Sequence, residues 1–136
     1  MPGVYNSGKE RLSSGGGHEW GTTGVFIRLV GPGYVPAPTH SVVADLTDEL
    51  TDPSYSPGSL SGQTRALNGN DLEFLALNLT YAGLDGAVTP AYAVAVDAGS
   101  GDLLWYNSLP GAPAPNSGDY TITWGSGSGV VFELQE

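Results

Sequence analysis

The 136 residues carry 14 acidic and 4 basic side chains, a formal net charge of −10. Lys9, Arg11, Arg28 and Arg65 are the whole cationic supply, too few to neutralise a phosphate backbone or an anionic lipid surface, so neither nucleic acid nor a membrane is an expected partner. The absence of cysteine removes disulfides, thiolate metal sites and cysteine nucleophiles together, while 21 glycines and 10 prolines favour turns and extended backbone over helix.

A single domain is expected at this length. No apolar run approaches the ~20 residues of a membrane span, and Met1 is not followed by the basic and apolar regions of a secretion signal. Residues 1–17 carry Tyr5, Lys9 and Leu12 at mixed spacing and run into Ser13-Ser14-Gly15-Gly16-Gly17. That pattern reads as at most one helical turn followed by a flexible joint, an extended N-terminal arm. From Trp20 to Val30 the chain alternates, with Val25, Ile27 and Leu29 on one side and Phe26, Arg28 and Val30 on the other, as a strand requires. Gly31-Pro32-Gly33 ends it and a proline-containing loop follows.

Val42 or Val43, Leu46 and Leu50 recur at helical spacing behind Thr39 or Ser41, which predicts one short helix with an acidic outer face within residues 39–50. Asn68-Gly69 is the strongest hairpin signal, joining a strand at about 63–67 to one at 71–78. A second hairpin joins 91–97 to 103–107 through Ala98-Gly99-Ser100-Gly101-Asp102, with Tyr92, Val94 and Val96 on one face and Ala91, Ala93 and Ala95 on the other, where small side chains leave room for a close neighbour. A third hairpin is expected between Tyr120-Ile122-Trp124 and 130–134 across the glycine-rich 125–129. These elements predict an all-β fold: an antiparallel β-sandwich or jelly roll (18–136) with one short helix and the arm (1–17). Leu72, Phe74, Tyr92, Val94, Val96, Ile122 and Trp124 are the expected core contributors.

The chemistry-bearing residues form no reactive pattern. Gly125-Ser126-Gly127-Ser128-Gly129 has glycine where a nucleophile elbow needs serine. Asp97 and Asp102 bracket a loop that lacks calcium-loop spacing and reads as a hairpin turn. Asp45, Asp48, Glu49 and Asp52 form the densest acidic cluster, which reads as a solvated face or a docking patch for a basic partner before a hard-cation site. His18 and His40 stand apart from each other and from any thiol. Seven tyrosines and three tryptophans would suffice for a sugar-binding platform, although sandwiches use such residues as core and strand fillers. No carboxylate spacing points to a paired-carboxylate hydrolase, and no catalytic residue, metal ligand or cofactor is expected.

Several short segments, in order, resemble a family of small tailed-bacteriophage virion proteins. They are Tyr5-Asn6-Ser7-Gly8-Lys9-Glu10-Arg11-Leu12 with Trp20 and the strand Gly24 to Val30, then Tyr34-Val35-Pro36 with Thr39-His40, and Asp45-Leu46 with Glu49-Leu50. Ala91-Tyr92-Ala93-Val94 and Gly118 to Trp124 with Gly129-Val130-Val131 look like the family's later strands. Ser13 to Gly17 and the apolar Ala95-Val96 depart from the family's charged residues at those places. The resemblance implies a virion structural protein and carries no catalytic residues. The expected role is a capsid decoration, or cement, protein that binds the major capsid protein and self-associates, with a trimer at a local threefold as the expected assembly. Tyr5, Lys9, Arg11 and Leu12 are the expected docking residues of the arm. The alternatives are a tail, neck or fibre-base component contacting the host, and a carbohydrate-binding module.

Overall fold

The computed structural model describes residues 2–12, 20, 24–69, 71–85, 88–109, 114–124 and 130–134. In chain order these contain β1 (Pro2–Val4), α1 (Asn6–Leu12), β2 (Val25–Val30), β3 (Gly58–Ser59), β4 (Thr64–Asn68), β5 (Asp71–Leu75), β6 (Leu79–Tyr81), β7 (Tyr92–Asp97), β8 (Leu103–Ser108), β9 (Tyr120–Ile122) and β10 (Val130–Leu134). The fold is all-β and antiparallel. One sheet has the order β1-β8-β7-β2-β3, and across the core from it lie the sheets β10-β5-β4 and β6-β9.

The alternation of β2 and β7 becomes a difference between two cores. On one face Val25, Ile27, Leu29, Ala93, Ala95 and Trp105 join Phe74, Tyr81, Ile122 and Trp124 from the smaller sheets. The room left by the alanines is occupied: Ala95 lies opposite Trp105 in the ladder, and Trp105 packs 6.3 Å from Trp20 and edge-on 6.0 Å from Trp124. On the other face Val30, Val94, Val96 and Leu103 form a second cluster with Tyr5 and Tyr34. The central sheet is therefore buried on both sides, and the expected core residues divide between them: Phe74, Ile122 and Trp124 inside the sandwich, Val94 and Val96 behind it. Leu72 and Tyr92 are partly buried against the two clusters.

In β8 the register slips between the pairs Ala95–Trp105 and Val96–Leu103. Leu104 is the extra residue of this β-bulge, which leaves its carbonyl free of the β7 ladder. That carbonyl accepts the N–H of Tyr5 at 3.1 Å. The same place explains Gly8, since a Cβ there would overlap the Leu104 carbonyl oxygen.

Three expectations are corrected. The first seventeen residues are not a free arm across their described part, 2–12. β1 extends the main sheet by pairing with β8, and Asn6 N–H donates to the Pro38 carbonyl at 2.9 Å, so an open sheet edge and a buried tyrosine hold the segment down. Ser13 to Gly17 lie outside the described residues. The short helix is α1, whereas 39–50 holds only a 3-10 turn at Val43–Asp45, because Asp45 binds the N–H groups of Ser41 and Val42 and closes the turn early. The third hairpin does not form: β9 pairs with β6 and β10 pairs with β5. Trp124 turns its indole N–H to the Leu77 carbonyl at 3.0 Å, which ties the end of β9 to the link between β5 and β6 rather than to β10.

Candidate functional site

The residues expected to dock a partner lie in one stretch but have different environments. Tyr5 is fully buried. Its hydroxyl shares a 2.9 Å hydrogen bond with that of Tyr34, which also meets His40 Nδ1 at 2.8 Å. Burial, followed by that bond, pushes the Tyr5 phenol far above its ordinary range; burial raises Tyr34 too. Tyr92 and Tyr106 complete the group, with Tyr106 5.3 Å from the Tyr5 ring and 6.0 Å from Tyr92. Arg11 is engaged inside the chain, its Nε 2.7 Å from Asp102 Oδ2, and Ser7 Oγ donates to the Leu103 carbonyl at 2.7 Å. Leu12 is partly buried against the larger core. Lys9 is exposed. Of the four expected docking residues, then, Tyr5, Arg11 and Leu12 fasten the segment to its own domain, and Lys9 alone stands outward.

The acidic cluster is dispersed into separate structural tasks. Asp45 accepts from Ser41 and Val42 N–H, and those bonds hold its carboxyl below the usual range. Asp48, left-handed at φ 56, accepts from Gly33 N–H at 2.8 Å. Asp52 binds the hydroxyl and N–H of Ser54, which likewise lower its pKa. Glu49 turns inward to Arg28, with both carboxylate oxygens 3.0 Å from one guanidinium nitrogen. Among the described residues no group of three or more metal-ligating side chains converges. Asp97 is buried and caps its own turn by accepting from Gly99 and Ser100 N–H, as a hairpin reading of that loop requires.

Sequence reasoning missed the Arg28–Glu49 pair as a unit. Tyr55 donates to Glu49 Oε2 at 2.7 Å and accepts from Leu29 N–H at 3.0 Å; Tyr81, stacked 6.0 Å from Tyr55, donates to the Ile27 carbonyl at 2.8 Å. Burial pushes both phenols well above their ordinary range, with the Glu49 hydrogen bond adding to the rise at Tyr55. The signal was present in β2: an arginine in a strand covered on both sides needs a nearby anion. The network clamps 48–55 along β2, where Leu50 N–H donates to the Leu29 carbonyl and Gly31 N–H to Asp48.

The tryptophans offer no sugar platform. Trp20, Trp105 and Trp124 are 5%, 0% and 2% exposed, and the Trp20 indole donates to the Leu75 carbonyl at 3.2 Å. His18 and the 125–129 loop lie outside the described residues. In Asn78-Leu79-Thr80, Asn78 accepts from Trp124 N–H and Thr80 bonds Thr121. Among the described residues, the large apolar side chains most exposed to solvent are Phe26, Val35, Val42, Leu67 and Leu77. Phe26 lies opposite Val96 at the rim of the second cluster, and Leu67 lies on β4, all five of whose residues are exposed. No family model, curated protein or solved structure matches the chain.

Proposed function

We propose that this chain is a structural protein of a bacteriophage virion, a decoration protein that sits on the outside of the capsid and bridges neighbouring capsid subunits. Its partners are the major capsid protein and further copies of itself. The observation that carries the reading is how the polar side chains are used. Asp45, Asp52 and Asp97 close their own turns, Asp48 joins two loops through Gly33, and Glu49 and Asp102 hold Arg28 of β2 and Arg11 of α1, so these carboxylates are spent on bracing turns, loops and α1 within the chain, which favours a rigid block. A cement protein needs that kind of rigidity, because it stabilises a lattice by binding its assembled form and a compliant bridge transmits little. The ordered set of short segments resembling tailed-phage virion proteins supports the same reading, and the net charge of −10 opposes adhesion to a genome.

Two measurements test it. Quantitative mass spectrometry of purified virions should find on the order of hundreds of copies per particle, as a lattice-wide decoration demands; tens or fewer would move the chain to the tail, neck or fibre base. Purified chain added to shells lacking it should bind and raise their disruption temperature, and shells that neither bind it nor gain stability would refute the role.

A further inference from the structure

We infer that two copies of this chain pair through β4, antiparallel and in one register, about a twofold axis beside Ala66. β4 ends the sheet β10-β5-β4, and among the described residues nothing pairs with its outer edge. All five of its side chains are exposed, Leu67 to 75%. An open edge of this kind is a template for another strand.

The hairpin determines which groups are on offer. Asn68 faces Asp71 across a two-residue reversal, and the residues flanking such a loop form a hydrogen-bonded pair. Hydrogen-bonded and non-hydrogen-bonded pairs alternate along an antiparallel ladder. Asn68, Ala66 and Thr64 therefore direct their N–H and C=O groups to β5, while Arg65 and Leu67 direct theirs to the open side. A second copy can bond only through its own Arg65 and Leu67, which leaves three self-pairing registers. Setting Arg65 opposite Arg65 brings like charges together. Setting Leu67 opposite Leu67 places Arg65 against Gly69, which at φ +65 has left the strand. Setting Arg65 opposite Leu67 uses the outward groups of both residues in both copies and brings Ala66 against Ala66 at the axis.

This third register also covers the exposed leucine. Leu67 lies on the face of Leu72 and Arg65 on that of Phe74, the side of β5 that reaches the core. The aliphatic stem of Arg65 from the second copy would lie across Leu67, with its guanidinium at the rim. The contact is isologous, so it closes at two copies and cannot by itself build a threefold.

The native chain has no cysteine, so Ala66→Cys supplies the only thiol. Its Cα would lie about 4.5 Å from its mate in a non-hydrogen-bonded pair, inside the roughly 4.4–6.8 Å range of disulfides. Asn68→Cys, on the same face of the same strand, would lie opposite Thr64 of the second copy and about 13 Å from its own mate. Mild oxidation should therefore convert the folded Ala66→Cys chain to covalent dimer at least roughly tenfold faster than Asn68→Cys, with the unmodified chain sedimenting as a dimer at micromolar concentration. Equal rates for the two variants, or no cross-linking in either while circular dichroism shows both folded, would overturn the pairing and leave β4 to a strand of another protein; so would a monomer or trimer in sedimentation. Leu67→Lys should dissociate the dimer and Leu67→Glu should retain it, because residue 67 faces Arg65; equal weakening by both would refute the register. These measurements use the isolated chain, so their outcome is separate from that of the shell-binding tests.

Discussion

Replacing Tyr5 by alanine removes an aromatic side chain that is fully buried between α1, the 34–46 loop and the outer face of the central sheet. Truncating a buried aromatic to alanine costs about 3–5 kcal/mol, the lost transfer energy plus the cavity left behind. Tyr5→Phe separates the hydroxyl from the ring: Tyr34 loses one partner but keeps His40, so the cost should fall near ~1 kcal/mol. With an unfolding entropy of about 2.1 cal/mol/K per residue, 136 residues translate 1 kcal/mol into roughly 3.5 °C. Differential scanning calorimetry should thus show Tm falling by about 10–17 °C for Tyr5→Ala and about 3 °C for Tyr5→Phe. Lys9→Ala, at an exposed helical position, should stay within ~0.5 kcal/mol. The contrast decides between an integrated segment and a tethered arm, since an arm would leave the melting temperature of the isolated domain unchanged. A Tyr5→Ala chain melting within ~2 °C of the parent would refute the packing argued here.

Gly8→Ala should destabilise by roughly 1–3 kcal/mol in urea unfolding, because overlap with the Leu104 carbonyl outweighs alanine's better helix propensity; a gain in stability would show that α1 can lift from the bulge. Glu49→Gln should cost roughly 1–2 kcal/mol, as the Arg28 pair is 28% and 24% exposed and also anchors Tyr55; no change in the urea midpoint would mean that the hydrogen bonds alone hold the 48–55 segment. Asp45 titrates below the ordinary carboxylate value because Ser41 and then Val42 donate to it. Its contribution is therefore fully present above about pH 4 and is lost as pH falls through the lower folded value. Stability of Asp45→Asn measured from about pH 5 down to pH 2 should accordingly fall less steeply than that of the parent, and parallel profiles would contradict this assignment.

What the sequence determined by itself was local. The period-two alternation of Val25 to Val30 and of Tyr92 to Asp97, and the glycine-rich reversals at Gly69 and 98–102, appear as β2, β7 and the turns of two hairpins. Even there the β4–β5 reversal falls one residue later than Asn68-Gly69 suggests, because Asn68 still pairs with Asp71. Alternation separates two faces but does not say what covers each, and here both are covered, so Val94 and Ala95 serve different cores. Which strand a segment joins is likewise non-local: β9 and β10 are close in sequence yet pair with β6 and β5, since the deciding partners come from dozens of residues away. The tertiary structure also decided the surroundings of the residues singled out for function. Clustered in sequence, Asp45, Asp48, Glu49 and Asp52 turn to different neighbours because a loop without helical or strand periodicity aims each carboxylate at whichever unsatisfied amide or cation lies nearest. Tyr5 is buried and Leu12 partly buried, at a polar, glycine-bordered terminus, because the free edge of β8 and the bulged carbonyl of Leu104 give that terminus a strand to pair with and an acceptor for its N–H.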